Sequence, residues 1–532
     1  MSEQAKSVAK GISILGIAGI ICKVVGLLFS IPLNMISSPE VESGKVATIF
    51  YLVYPTYTLL LTISSAGLPV AVSRMVAGFL ARNDARNAKN TFKAALIMLV
   101  TIGGFFSLIM VLINGTLVNM VGVKETSLGY YAIAPCVMIV CALSAFRGFV
   151  QGQQNMVPTA ISQLIEQVGK VIISLPLAYI GVHVYHSLEI GAAGALLGIT
   201  LAEIIALGYM VIRYYVKKKE FDALPQIADE PAWERKDLLK RLVIIAIPIT
   251  ISACIIPLSG FIDSAMMIKR MIAAGLTQGA AEDAYGAFTS VVIRLINIPT
   301  ALALAISISL VPGVSARFAV HDMDGVRRES NTGMRYAFLI GFPCSVGMSI
   351  LARPIVAFFY DNVFTNQKIN LAAELLTFSA LTVVLFTAVQ ATSSILQGLR
   401  KQKIPMYTMM AGVAVKIILN YILIGTPGID IHGGPYASIA CYGIVMVINM
   451  IYVCKYAEMK FNWLDWVIRP GLSAAVMGAA VFGLKTLLPG GRLYTMLEVA
   501  AGMITYLVFA FLFKALSKDD INALIKRKGR AK

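Results

Sequence analysis

YGAFTSVVIRLINIPTALALAISISLVPGVSAR, residues Tyr285–Arg317, is an apolar stretch long enough to cross a bilayer, with one arginine, Arg294, in its interior. Arg294 lies about two to three helical turns beyond Glu282 and Asp283, well inside the hydrocarbon at about 1.5 Å of rise per residue. A guanidinium cannot lose its proton, and burying it in lipid is costly, so the side chain must face a partner or water. Pro299, five residues on, removes a backbone donor and loosens the helix beside the charge. The stretch therefore predicts a cationic cavity within the membrane, with the other helices arranged around it. The competing structural reading is an arginine paired with an acid such as Asp263, serving only to hold helices together.

The rest of the chain fits that setting. Of its 532 residues 58% are hydrophobic and 14% charged, and apolar segments of bilayer length recur from end to end. This is the composition of an all-α polytopic membrane protein and excludes a soluble fold. The first segment, Gly11–Leu33, follows Lys6 and Lys10 but is too long for a signal-peptide core and has no small-residue cleavage site, so it reads as a spanning helix. The seven cysteines (Cys22, Cys136, Cys141, Cys254, Cys344, Cys441, Cys454) form no C-x-x-C pair and read as small buried hydrophobes, with no metal site or disulfide framework. A net charge of +17 reflects topology here, and no nucleic acid is called for.

Apolar runs bounded by turn residues and charges predict fourteen transmembrane helices, near 8–33, 46–79, 91–113, 128–150, 158–181, 190–215, 241–268, 284–314, 332–352, 371–396, 404–425, 434–455, 468–488 and 492–515. With both termini and every second connection on one side, that side holds 33 of the 45 Lys and Arg residues, which assigns both termini to the cytoplasm. An internal repeat lies beneath the hydropathy. Val72-Ser73 to Lys93 matches Val314-Ser315 to Arg335 without a gap; Gln151-Gly152, Pro158 and Lys170 match Gln397-Gly398, Pro405 and Lys416. The chain thus divides into two six-helix repeats, an N-lobe at 1–215 and a C-lobe at 241–455, joined by a charged cytoplasmic linker at 216–240. Residues 456–532 add two C-terminal helices and a basic tail. Six is an even number, so both repeats enter from the same side, and the axis relating them runs along the membrane normal, with a midplane site between them.

Four basic residues fall within spans: Lys23, Lys170, Arg294 and Lys416. Lys23, too deep to snorkel easily, is a candidate for the same cavity as Arg294. Lys170 and Lys416 occupy equivalent repeat positions, which favours a shared architectural role over substrate contact. Among the acids in spans, Glu166 stands four residues before Lys170, the spacing of an ion pair along one helix face. Asp263 is open to three roles: partner to a cavity cation, binder of a coupling Na⁺ or proton, or partner of Lys269 and Arg270. Glu203 is also within a span. The small residues of Gly191–Gly198, GAAGALLG, mark close helix contact. No phosphate loop, H-E-x-x-H or G-x-S-x-G is present, so the chain is expected to be no enzyme, to need no cofactor, and to be driven by an ion gradient, the membrane potential or the substrate gradient.

These residues resemble the multidrug/oligosaccharidyl-lipid/polysaccharide exporter superfamily, and within it the lipid II flippase and stage V sporulation protein B group. The resemblance rests on GLPVAVSRMVA (Gly67–Ala77), FRGFVQGQQNMVPTAISQLIEQ (Phe146–Gln167), RLINIP (Arg294–Pro299), LVPGVS (Leu310–Ser315) and LQGLRKQKIP (Leu396–Pro405). It implies an alternating-access flippase carrying an undecaprenyl-pyrophosphate-linked sugar, most simply lipid II, from the inner to the outer leaflet of the bacterial cell membrane. It also implies that Arg294 and Lys23 match cavity arginines of the eighth and first helices. The chain departs from the pattern at Phe29, where a second first-helix arginine would fall. The expected partners are an anionic lipid-linked sugar, membrane lipids and a coupling Na⁺ or H⁺. The alternatives are another lipid-linked oligosaccharide, including one for spore cortex, a cation-coupled multidrug exporter, and a membrane glycosyltransferase. A multidrug exporter would want carboxylates in its cavity, and a glycosyltransferase large outer loops, which this chain lacks.

Overall fold

In a hydrocarbon layer every backbone N–H and C=O needs an internal partner, and a helix supplies one segment by segment. The computed structural model describes residues 21, 25–26, 28–39, 41–222 and 233–516, and its elements are helices. Lys23, most of the first expected span, the middle of the linker and the basic tail lie outside the described residues. Among those described, eleven helices are long and apolar enough to cross a membrane, from Lys45–Leu80 to Arg492–Leu512. A twelfth is formed if Met323–Ile350 and Ala352–Tyr360, bent by 71° at their junction, make one span. These twelve coincide with expected spans. The Tyr285–Arg317 stretch is helical too, as a π-helical turn at Ala287–Val292 running into the Ile293–Ala319 helix.

The chain forms two compact units, Met1–Ser290 and Val291–Lys532. Their border differs from the repeat border because compactness reflects packing, whereas duplication is a property of the sequence. In the first unit the Ser127–Gly152 helix packs against Ala85–Leu112, Leu188–Asp222, Leu68–Leu80 and Lys45–Ser65. The Arg235–Ala273 helix packs on Lys45–Ser65 and Leu68–Leu80, and the Gly67 N–H donates to Thr250 Oγ1 at 3.1 Å. The most extensive seam joins Val157–His183 to Leu188–Asp222. A Cβ added to Gly198 would stand 2.4 Å from Ser174, one on Gly194 2.7 Å from the Leu177 carbonyl oxygen, and one on Gly181 2.5 Å from the Gly191 nitrogen. Small residues there let the two backbones touch, which supplies the van der Waals contact that lipid cannot outcompete.

In the second unit the Leu381–Gly398 helix packs against Ile293–Ala319, Met323–Ile350 and Gly433–Tyr456 around a core that includes Val314, Phe338, Ile395 and Trp466. Asn449 ties three helices together, accepting from Thr408 Oγ1 at 2.7 Å and donating to Ser393 Oγ at 3.3 Å. The last two helices dock on this unit through Lys485 Nζ, 2.9 Å from the Ile350 oxygen, and Tyr506 OH, 2.7 Å from the Leu339 oxygen. The repeat has a structural echo inside each unit, shifted by one helical turn. A Cβ on Gly152 would meet Val76 and the Ser73 oxygen at 2.7 and 2.9 Å; one on Gly398 would meet Val314 and the Val311 oxygen at 2.8 and 3.1 Å.

Candidate functional site

Four charged side chains of the first unit, Arg147, Glu166, Lys170 and Glu203, gather where the Ser127–Gly152, Val157–His183 and Leu188–Asp222 helices meet. Arg147 is one turn from the end of its helix, near the end of the expected 128–150 span, yet its side chain is only 13% exposed and turns inward. Its Nη2 lies 3.0 Å from Glu166 Oε2, and its Nε donates to Ser162 Oγ at 2.8 Å. Gln167 Nε2 donates to the second carboxylate oxygen of Glu166 at 3.1 Å. Glu166 thus has a cross-helix partner that the four-residue spacing to Lys170 did not indicate. Glu203, 2% exposed, stands within electrostatic reach of Arg147, Glu166 and Lys170, and its Oε2 accepts no hydrogen bond among the described residues.

Lys170 projects from the same helix as Glu166 into an aromatic cage. Its Nζ lies 4.6 Å from the ring centre of Phe29, 4.9 Å from that of Tyr54 and 5.3 Å from that of Phe50. Each ring face offers the ammonium an attraction that grows as water is removed. Phe29, the position where the resemblance would place an arginine, therefore abuts a cation supplied by another helix.

Next to this cluster the first unit is tied at a second point. Asn34 donates to the Ser30 oxygen at 2.9 Å and accepts from Ser290 Oγ at 2.8 Å, while Ser30 Oγ donates to the Ser290 carbonyl oxygen at 2.7 Å. Lys45 Nζ lies 3.1 Å from Asp283 and 3.6 Å from Glu282. Gly286 makes the close approach possible, because a Cβ there would sit 2.0 Å from Thr48 Oγ1. Gly286→Ala is expected to cost about 1–3 kcal/mol, as overpacking does. The paired Gly286→Ala/Thr48→Ala variant should recover most of the loss, read as the melting temperature of the purified protein; no recovery would mean that the contact is not what the glycine serves.

Arg294 is partly buried at the first turn of Ile293–Ala319, between the π-helical turn and Pro299. A π turn inserts one residue into the helical register and rotates the residues after it, a distortion found often at functional sites. Lys416 is partly buried on Lys403–Ile424, whose main neighbour is Gly433–Tyr456, whereas the Arg294 helix packs on Leu381–Gly398 and Met323–Ile350. Asp263 is partly buried on Arg235–Ala273. Of the residues singled out in the sequence, the structure thus brings Glu166, Lys170 and Glu203 together, and it adds Arg147 to them. Arg147 escaped the sequence reading because a cation near a span end looks like an ordinary topogenic charge. Among the described residues no group of three or more His, Cys, Asp or Glu side chains is arranged to hold a metal ion.

Comparison with known proteins agrees with this architecture. A family profile described as polysaccharide biosynthesis protein matches residues 8–318, and a MatE profile matches 248–422. The chain is 27% identical to lipid II flippase MurJ of Bacillus subtilis (strain 168), over 89% of this chain and 87% of that protein. It is 26% identical to stage V sporulation protein B of the same organism, over 97% of each. A solved structure of lipid II flippase MurJ in an inward closed conformation superposes with a TM-score of 0.71 at 13% identity, covering 94% of this chain and 98% of that one. An inward-facing multidrug resistance MATE transporter gives 0.68 at 14% identity, covering 82% and 94%. At such identities the structures speak for the fold alone. The chain is a multi-pass membrane protein of transporter type and not an enzyme, and it belongs to the polysaccharide biosynthesis protein family of the multidrug/oligosaccharidyl-lipid/polysaccharide exporter superfamily.

Proposed function

We propose that this protein is a flippase that carries an undecaprenyl-pyrophosphate-linked cell-wall precursor, most simply lipid II, from the inner to the outer leaflet of a bacterial cell membrane by alternating access. The observation that carries the reading is Arg294, a permanent cation within a spanning stretch, flanked by a π-helical turn and a proline. A pyrophosphate headgroup is drawn to such a charge, whereas a cationic drug would be repelled by it. Arg294 is the first substrate-binding residue in this reading and Lys23 the second, with Lys170 and Lys416 as supporting cations. Asp263 and Glu166 are the candidates for a coupling Na⁺ or proton. Similarity to lipid II flippase MurJ along most of the chain supports the cargo class. End-to-end similarity to stage V sporulation protein B favours one second reading, in which the same machinery serves another lipid-linked oligosaccharide, such as one used for spore cortex.

The test is transport of defined lipid-linked sugars in proteoliposomes, with and without a Na⁺ gradient, a proton gradient and a membrane potential. Lipid II is expected to reach the far leaflet, and at least one of the three driving forces should accelerate it. Export of organic cations with no movement of any polyprenyl-linked sugar would overturn the proposal.

A further inference from the structure

The first unit carries a second basic site, separate from Arg294, on the face that the charge bias assigns to the cytoplasm. The Leu68–Leu80 helix, the turn after it, and the start of Arg235–Ala273 enclose a recess of about 220 Å³. Arg74, Arg82 and Arg241 line it, and Trp233 closes one side. The indole is held firmly: its ring meets Phe79 edge-on at 5.5 Å, and the Trp233 backbone N–H donates to Asn87 Oδ1 at 2.9 Å. Arg241 lies against the Trp233 ring, with its guanidinium carbon 5.3 Å from the ring centre, which fixes the side chain without neutralising it.

The acids nearby do not quench this charge. Asp84 is 5% exposed, and its two oxygens accept from Asn87, from the backbone N–H at 2.9 Å and from Nδ2 at 2.6 Å. Asp237 stands one turn before Arg241 and lines an adjoining recess together with Lys240, not this one. Among the described residues, no carboxylate lines the recess itself. Three guanidiniums around one small hollow repel each other, and the arrangement is stabilised when an anion that accepts several hydrogen bonds enters. The floor of the hollow, Met75, Phe79 and Ile245, is apolar. An anion with an oily attachment fits both walls and floor.

We propose that this recess binds the phosphate or diphosphate of a lipid at the membrane surface, as a site distinct from the midplane cation. Two sources share that chemistry, the headgroup of an anionic phospholipid and the diphosphate of a polyprenyl carrier. The proposal goes beyond the flippase reading and its test does not depend on transport.

The test titrates the full-length protein in detergent with farnesyl diphosphate, with short-chain phosphatidylglycerol and with inorganic phosphate, following Trp233 fluorescence as the difference between the wild type and Trp233→Phe. At least one of the two lipids is expected to give a saturable signal that weakens as salt is raised. Arg74→Gln, Arg82→Gln and Arg241→Gln should each weaken binding about tenfold or more, the loss of one charged hydrogen-bonding group. Gly78→Leu separates a built site from general surface charge. Nothing lies within 4 Å of a Cβ at Gly78, so the variant should fold with the recess filled and every charge kept. It should abolish the signal. Saturation by farnesyl diphosphate alone identifies a site for the carrier lipid, and saturation by both identifies a general lipid-phosphate site. Failure of both lipids to saturate, or unchanged binding in Gly78→Leu, overturns the proposal.

Discussion

Arg294→Ala is expected to abolish growth rescue in a strain depleted of its own lipid II flippase, while the protein still accumulates in the membrane. A central arginine opposes insertion by about 2.5–3.5 kcal/mol on translocon scales, so its removal should, if anything, favour a stable helix. Loss of function with insertion intact therefore separates a substrate-binding charge from a structural one. Arg294→Lys keeps the charge but not the planar fork that grips a phosphate at two points, so it should rescue only in part. A charged hydrogen bond is worth about 1.5–3 kcal/mol, which corresponds to roughly ten- to a hundredfold in rate or affinity. Normal growth with Arg294→Ala would remove this residue from the mechanism.

The second large effect should come from Arg147→Ala. It leaves Glu166 without its 3.0 Å cation and removes one of the two cations, with Lys170, that act on nearby Glu203. Removing one partner of a buried ion pair costs about 3–5 kcal/mol, and with side chains 13% and 23% exposed we expect the lower end, about 3 kcal/mol. Thermal unfolding of the purified protein gives the measurement. Adding Glu166→Gln removes the stranded charge, so the double variant should lose clearly less than the two single losses combined. Simple additivity would show that Arg147 and Glu166 do not act as a pair.

How legible this protein was in its sequence depends on how local each feature is. Span positions and class could be read because hydrocarbon demands long apolar runs, and twelve expected spans reappear as helices long and apolar enough to cross a membrane, one of them bent. The contact role of Gly191–Gly198 was legible for the same reason, since small residues at helical spacing leave few other readings. The Lys170 cage was not. Phe29, Phe50 and Tyr54 are ordinary apolar residues on other helices until tertiary packing turns their faces to one ammonium. The π-helical turn at Ala287–Val292 was also hidden, because a shift from four- to five-residue hydrogen bonding leaves no signature in residue type. Arg147 was not singled out, as hydropathy places a charge along the membrane normal without saying which way it points.

The glycine seam between Val157–His183 and Leu188–Asp222 also bears on how motion in this protein can be observed. Two backbones in direct contact along several turns leave no slack for sliding, so the pair behaves as a stiff plank. Spin labels at its two ends should keep one fixed separation through a transport cycle, and that constancy makes the plank an internal ruler against which displacement of any other helix can be gauged.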